Sequence, residues 1–214
     1  MKGLLIKDFY KSKKYSLIFL FLYITVRIGA ILIRKDYMAP YFTLQTNFMM
    51  LFVMITMGDL LKSDKNDGDM AYTLAMPISK KEYVDEKLIF AAILIGIAFL
   101  ANLFVGFFIK IFTGVNLMDK EFFYYNIFSI ISTFIFANFG INFSISIGES
   151  GFLLAIFPWV VIIISTLVFF PSDGDLYAYM ESHKLRLVIW TFIYLVINIL
   201  LRNSSIKKMN KKRY

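Results

Sequence analysis

The sequence predicts an all-α fold, a polytopic membrane protein with about six transmembrane helices. Of its 214 residues, 59% are hydrophobic and only 18% are charged, whereas soluble domains are about 45–50% apolar and about 25% charged. The apolar residues also form long blocks, each close to the roughly 20 residues that cross a bilayer as a helix. These blocks leave no room for a large soluble domain, so residues 1–214 are predicted to form one transmembrane domain.

Residues 1–15, MKGLLIKDFYKSKKY, are predicted to form an interfacial amphipathic helix. At helical spacing, Leu5 and Phe9 share an apolar stripe, while Lys7 and Lys11 share a basic one. Such a helix lies along the membrane surface, with its lysines among the lipid headgroups and its apolar side chains below them. We therefore expect it to rest on the cytoplasmic face before the chain turns into the first span.

A series of apolar segments follows, separated by polar loops. The predicted spans are residues 16–33, 39–61, 88–112, 122–144, 152–170 and 184–201. The longest polar stretch, residues 62–87, separates the second span from the third, and a basic tail, residues 202–214, follows the sixth. The stretch between the second and third spans is therefore the largest segment that can fold outside the membrane.

Basic residues predict the orientation of these spans. With both ends in the cytoplasm, sixteen lysines and arginines fall on the cytoplasmic side and five on the other, as the positive-inside rule requires. The same bias explains the net charge of +8. We therefore expect the basic residues to contact lipid headgroups, and we do not expect nucleic acid as a partner. The absence of cysteine excludes disulfides, thiolate metal sites and a cysteine nucleophile.

The polar segment at residues 62–87 carries most of the functional information. Pro77 disfavours helix at Met76, and Ser79 with Glu82 has the spacing of a capping box that starts a new helix. This corner presents Met76, Pro77 and Ile78 beside basic residues, as an apolar knob that suits a groove on a soluble partner. The alternative is an interfacial helix that rests on lipid headgroups.

Two stretches resemble a known family, the small ABC-2 type permeases of bacterial ABC transporters. They are MKGLLIKDFYKSKK, which resembles the short Lys-Asp helix at the family's N-terminus, and TLAMPISKKEYVDEKLI, which resembles its first cytoplasmic loop. The residues that match the loop pattern are Leu74, Pro77, Ile78, Ser79, Lys80, Lys81, Val84 and Lys87. Met76 stands where leucine is usual, a volume-conserving difference. Gly148-Glu149 resembles the family's glycine-x-glutamate pair in the second loop, without its usual basic residue.

The resemblance implies that Tyr72–Lys87 is a coupling helix, which docks into a cleft of a separate cytoplasmic ATP-binding subunit present in two copies. ATP and Mg would bind in that subunit, and no cofactor is expected in this chain. The residues implied to couple are Tyr72, Leu74, Met76, Pro77, Ile78, Ser79, Lys80, Lys81, Glu82 and Glu149. A second permease, the same or a related chain, would complete the complex in the bacterial plasma membrane.

Within the family, the chain is similar to the permease subunits that export phenol-soluble modulins, which are amphipathic toxin peptides. That similarity implies an exporter for an amphipathic or hydrophobic substrate, with toxin or antimicrobial peptides as candidates. The alternatives are a non-transporting membrane scaffold or immunity protein that binds a partner, and an intramembrane enzyme.

Several catalytic and metal-binding motifs are missing from the sequence, so we predict that the chain is not an enzyme. It has no P-loop for ATP and no H-E-x-x-H protease motif, and His183 is its only histidine. The acidic stretch SDKNDGD is not a calcium loop, because Lys65 and Leu74 fall where oxygen ligands are needed.

Polar residues inside the predicted spans are candidates for a translocation path. They are Arg27, Asn102, Asn138 and Asn142. Each has an alternative structural role. Arg27 can extend its side chain to the interface or form a structural pair, and the asparagines can form hydrogen bonds between helices.

Overall fold

The computed structural model describes residues 2–33, 39–66, 79–113, 120–147 and 184–211. Within these ranges, every residue except Ser79 is helical, so the all-α prediction is confirmed for the described part of the chain. The helices are α1 (Lys2–Ile33), α2 (Ala39–Asn66), α3 (Lys80–Thr113), α4 (Lys120–Ile147) and α5 (Lys184–Lys211). The predicted fifth span, residues 152–170, lies outside the described residues.

Two stretches of the described helices are long and apolar enough to cross a membrane by length and composition, Lys80–Phe112 and Ser129–Ile147. They overlap the predicted third and fourth spans. The count of six spans stays a prediction. The stretch at Lys80–Phe112 has 33 residues, which extend about 50 Å against a hydrocarbon core of about 30 Å. The charged first turns of α3, residues 80–87, therefore extend beyond the hydrocarbon core.

Helix α1 corrects one expectation, because the turn predicted after residue 15 is absent. The helix is continuous over 32 residues, and no proline interrupts it. Its first turns bury Leu4, Asp8 and Ser12 at a spacing of four residues. This stripe packs against α2 and α3, so protein contacts hold the first half of α1 in line with the second.

Helix α3 is the centre of the described bundle, because it packs against each of the other four helices. Helix α4 packs in turn against α2 and α5. The core between them is filled by large side chains that are almost fully buried, including Phe52, Met57, Phe90, Leu94 and Phe136. A displacement of α3 would therefore be felt by all the other described helices.

The outer faces of α1, α3 and α5 carry large apolar side chains. Examples are Phe21, Val26, Phe104, Phe107, Phe192 and Leu195, each at least half exposed. Continuous apolar surface of this kind is unfavourable in water. It is the surface expected of helices that face lipid or another membrane helix.

Candidate functional site at the start of helix α3

The start of α3 is fixed by the capping box predicted from the sequence. The Ser79 backbone N–H donates to Glu82 Oε2 at 2.8 Å, and the Glu82 backbone N–H donates to Ser79 Oγ at 3.2 Å. The Tyr83 N–H donates to the Ser79 carbonyl at 3.1 Å and closes the first turn. The hydrogen bond from the Ser79 backbone also lowers the pKa of the Glu82 carboxyl, which keeps its charge near the positive end of the helix dipole.

A buried charge cluster, formed by Asp8, Asp64, Glu86 and Lys87, joins α1, α2 and α3. Lys87 Nζ lies 2.5 Å from Asp8 Oδ2, 2.6 Å from Asp64 Oδ2 and 3.5 Å from Glu86 Oε2. No member of the cluster is more than 1% exposed. Charged residues are almost never buried so completely unless they are paired, and here one ammonium serves carboxylates from two other helices.

The rim of the buried charge cluster adds further contacts to Asp64. Lys7 Nζ and Lys11 Nζ lie 3.5 and 3.6 Å from Asp64 Oδ1, and both side chains are partly exposed. The Tyr83 hydroxyl donates to Asp64 Oδ2 at 3.3 Å, and Lys11 also donates to Ser63 Oγ at 2.9 Å. The end of α2 is thereby held by side chains from both α1 and α3.

The surroundings of Glu86 in the cluster change the protonation of its carboxyl. Burial raises the pKa of its carboxyl to about 8; Lys87 opposes the shift, while a hydrogen bond with Asp8 and the charges of Asp8 and Asp64 add to it. Glu86 therefore holds a proton at neutral pH. The Lys87 ammonium lies beside the carboxyl groups of Asp8 and Asp64, with Lys7 and Lys11 at the rim.

The opposite side of α3 contacts α5 through a different kind of ion pair. Arg202 donates from Nε and Nη2 to the two oxygens of Asp85, at 2.5 and 2.7 Å. The two side chains keep 33% and 24% of their surface exposed. The hydrogen bond with Asp85 raises the pKa of Arg202, and Lys80 Nζ donates to the Met209 carbonyl at 2.8 Å.

The asparagines predicted as path residues are all buried and form hydrogen bonds between helices. Asn102 donates to Asn126 Oδ1 at 3.2 Å, which joins α3 to α4. Asn138 donates to Asn198 Oδ1 at 2.9 Å, and Asn142 donates to the Leu201 carbonyl at 3.1 Å, which joins α4 to α5. These contacts are the hydrogen bonds between helices that were the alternative to a path role for the asparagines. A role in a translocation path stays a prediction.

The structure describes only part of the predicted coupling element. Ser79, Lys80, Lys81 and Glu82 lie at the start of α3, where Lys81 and Glu82 are exposed. Arg27 lies on α1, but its side chain is outside the described part. The remaining predicted coupling residues lie outside the described residues, and they are Tyr72, Leu74, Met76, Pro77, Ile78 and Glu149.

The buried charge cluster was not predicted from the sequence. Each of the two family-like stretches, the N-terminal helix and the first loop, nevertheless contains one of its members. Asp8 belongs to the N-terminal Lys-Asp helix and Lys87 ends the loop motif, and the structure joins them directly. The available signal was a charge on an apolar stripe. Lys87 shares a helix face with Tyr83, Ala91 and Leu94, all buried, and a charge on such a face implies a buried partner.

Among the described residues, no group of three His, Cys, Asp or Glu side chains is arranged to hold a metal ion. The carboxylates of the buried charge cluster instead surround the Lys87 ammonium. The cluster therefore joins three helices through buried charged groups.

Comparison with known proteins gives one match. Residues 3–210 match the sequence profile of a family described as ABC-2 family transporter protein, which covers all five described helices almost completely. No curated protein and no solved structure matches the chain.

Proposed function

The chain belongs to the ABC-2 family of transporter proteins, and we propose that it is the permease subunit of an ATP-driven exporter. Proteins of this family are membrane components of transport and are not themselves catalytic. In the proposal, ATP and Mg bind to a separate cytoplasmic ATP-binding subunit. Two such subunits drive two permeases, either two copies of this chain or this chain and a related one, in the bacterial plasma membrane.

The observation that carries the proposal is how firmly the start of α3 is held. The capping box of Ser79 and Glu82 starts α3, and the buried charge cluster fixes the second turn through Lys87. Because α3 also contacts every other described helix, a force applied just before it would be delivered to the whole bundle. Rigid helices and salt-bridge networks of this kind are among the structures that carry energetic coupling between distant sites.

The segment that would receive this force is the proposed coupling helix at residues 72–82. In the proposal, its apolar corner enters a cleft of the ATP-binding subunit, and Glu149 contacts the same subunit from the second loop. Closure of the two ATP-binding subunits would then tilt α3 and its neighbours as rigid bodies and open a path outward.

An amphipathic or hydrophobic substrate, such as a toxin or antimicrobial peptide, fits the character of the described helices. Their buried polar groups away from the charged end are uncharged side chains, among them Thr56, Asn102, Asn126, Ser129 and Thr133. The outward faces are aromatic and aliphatic. A small charged ion would need intramembrane charges to offset its desolvation, whereas an amphipathic peptide would contact both kinds of surface.

The test is retention of an ATP-binding subunit and export of an amphipathic peptide from cells. Replacing Pro77 by Ala and Ile78 by Asp should abolish both, because a charge at the corner cannot enter an apolar cleft. Tyr10→Asp is the matched control, since Tyr10 is 72% exposed on α1 and should tolerate the charge. Export that is unchanged by the double substitution contradicts the proposal. Binding of a partner without any export in the wild type would favour a scaffold instead.

A further inference from the structure

The last ten residues of α5, Arg202–Lys211, form a structured element that we call the α5 extension. Helix α5 has 28 residues, about 42 Å of helix against about 30 Å of hydrocarbon, and the extension follows its predicted span at residues 184–201. The sequence indicated only a basic tail here. In the structure the extension remains helical, and its Ser205 and Met209 are completely buried.

The α5 extension forms hydrogen bonds with the start of α3 at two points. At one end, Arg202 holds Asp85 through two parallel hydrogen bonds, which fix the orientation of the two groups as well as their distance. At the other end, Lys80 donates to the Met209 carbonyl. Carbonyls in the last turn of a helix lack intrahelical partners and favour a cation, so Lys80 caps the extension from the first turn of α3.

The same extension also forms hydrogen bonds with the last part of α4. Lys208 Nζ donates to Asn142 Oδ1 at 2.6 Å, and Asn142 Nδ2 donates to Ser205 Oγ at 3.0 Å. Helix α4 ends one turn later, at Ile147, within the second predicted cytoplasmic loop at residues 145–151. The extension therefore connects the helix that follows the first predicted loop to the helix that precedes the second.

We propose that the α5 extension is a strut that sets the positions of the two partner-facing loops relative to each other, with Arg202 and Lys208 as positioning residues. This inference rests on the proposed function, since it needs a partner that contacts both loops. An ATP-binding subunit that moves one loop would then move the other with it, and both α3 and α4 would respond together.

The Asp85–Arg202 pair combines a well-defined geometry with partial exposure to solvent, and this combination suggests a positioning role. A bidentate arginine–carboxylate pair defines orientation closely. Loss of one partner from a partly exposed ion pair costs less than loss from a buried one, because water solvates the group that remains. Loss of this pair should therefore disturb the relative position of α3 and α5 while the fold survives, so a positioning role can be measured separately from a structural one.

The experiment compares export per ATP hydrolysed in vesicles that contain the full complex. Arg202→Gln and Asp85→Asn should each lower this ratio about two- to thirtyfold, the range expected for residues that carry coupling between sites. The matched control is Lys207→Gln, which removes the same charge from an exposed position of the extension and should leave the ratio unchanged. Melting temperature should change little in these variants, and recovery of the complex should be the same in all of them.

A second readout measures the geometry directly. The chain has no cysteine, so cysteines introduced at the exposed Lys81 and Lys207 can carry spin labels without background. Their distance distribution should be narrow in the otherwise unchanged protein and broad with Arg202→Gln. The double exchange Asp85→Arg with Arg202→Asp should narrow it again and recover part of the coupling.

Two results would overturn the strut. One is an unchanged ratio of export to ATP hydrolysis in Arg202→Gln. The other is a decrease that is fully accounted for by equal losses of complex or of melting temperature. If the wild-type chain recruits no ATP-binding subunit, the proposed function fails first, and that outcome is distinct because it is seen before any variant is made.

Discussion

The first two turns of α3 carry ion pairs on both sides, and the two sides differ in burial rather than in distance. On the α1 side, Lys87 lies 2.5 Å from Asp8, with 2% and 1% of the side chains exposed. On the α5 side, Arg202 lies 2.5 Å from Asp85, with 33% and 24% exposed. The two pairs therefore have equal distances, but removal of one partner should destabilise the protein by different amounts, because the pairs differ in burial.

Loss of one partner from a buried pair leaves an uncompensated charge in a low-dielectric interior, at a cost of about 3–5 kcal/mol. Loss of one partner from a partly exposed pair costs about 0–1 kcal/mol, because water solvates what remains. The buried charge cluster accordingly holds α3 in the fold, while the Asp85–Arg202 pair sets its orientation at little energetic cost. Regions that move are drawn from such weakly stabilised contacts.

The largest expected effect comes from Lys87→Met. Asp8 and Asp64 would remain buried without their shared ammonium, which should cost about 3–5 kcal/mol. We expect low recovery of monodisperse detergent-solubilised protein and a much lower melting temperature in a thermal scan. Lys81→Met, on the exposed face of the same turns, is the control. Equal melting temperatures for the two variants would show that the cluster does not hold α3.

The next effect concerns pH and Glu86. Its carboxyl has an ordinary pKa of 4.5 that rises to about 8 in the folded protein, so the folded state binds more protons between these values. Stability contributed by the protonated group is then present at low pH and is lost as pH rises towards about 8.

Glu86→Gln keeps the shape of the protonated acid without its titration. We expect its melting temperature to exceed that of the wild type by several degrees at pH 8 and by little at pH 5. Melting curves at a series of pH values check this. A wild-type curve parallel to that of the variant would mean that Glu86 is ionised throughout.

A smaller effect is expected in the core, where Asn102 and Asn126 join α3 to α4. Asn102→Leu removes one hydrogen bond of a buried amide and should cost about 0.6–2 kcal/mol. The double substitution of both asparagines by leucine should recover part of that loss, since neither amide of this pair is left facing an apolar side chain. Thermal melting measures stability, and peptide efflux measures transport. Recovered stability with lost export would identify these residues as part of the path.

The smallest effect on stability is expected for Arg202→Gln, at about 0–1 kcal/mol. This substitution and Lys87→Met each remove one basic partner from an ion pair at the start of α3. The difference between the melting temperatures of the two variants, measured in the same thermal scan, compares the two sides of α3 directly. If Arg202→Gln destabilises as strongly as Lys87→Met, exposure does not distinguish the two sides.

The features that the sequence predicted correctly are local ones. The capping box at Ser79 and Glu82 depends on residues three positions apart, and the helical character of α3 depends on its own apolar composition. The features that it did not predict join distant positions. Lys87 and Asp8 are 79 residues apart, and Arg202 and Asp85 are 117 apart. Burial of a charge on an apolar stripe was the only sign of the first pair, and no such sign marked the second.

The continuous helix α1 illustrates the same limit. A basic stripe beside an apolar stripe is equally compatible with a membrane surface and with a protein surface. Asp8 distinguishes the two, because a carboxylate gains nothing from anionic headgroups but gains a partner in Lys87. The choice between these environments depended on a residue that the sequence places in another helix.

The central claim is that the segment before α3 docks on an ATP-binding subunit. Because the chain has no cysteine, a single cysteine at Ile78 can carry a photoactivated cross-linker in the assembled complex, with Tyr10→Cys as the control position. We expect a cross-link to an ATP-binding subunit from position 78, absent from position 10, with a yield that changes when ATP is added. No cross-link from position 78, or equal cross-linking from both positions, would contradict it.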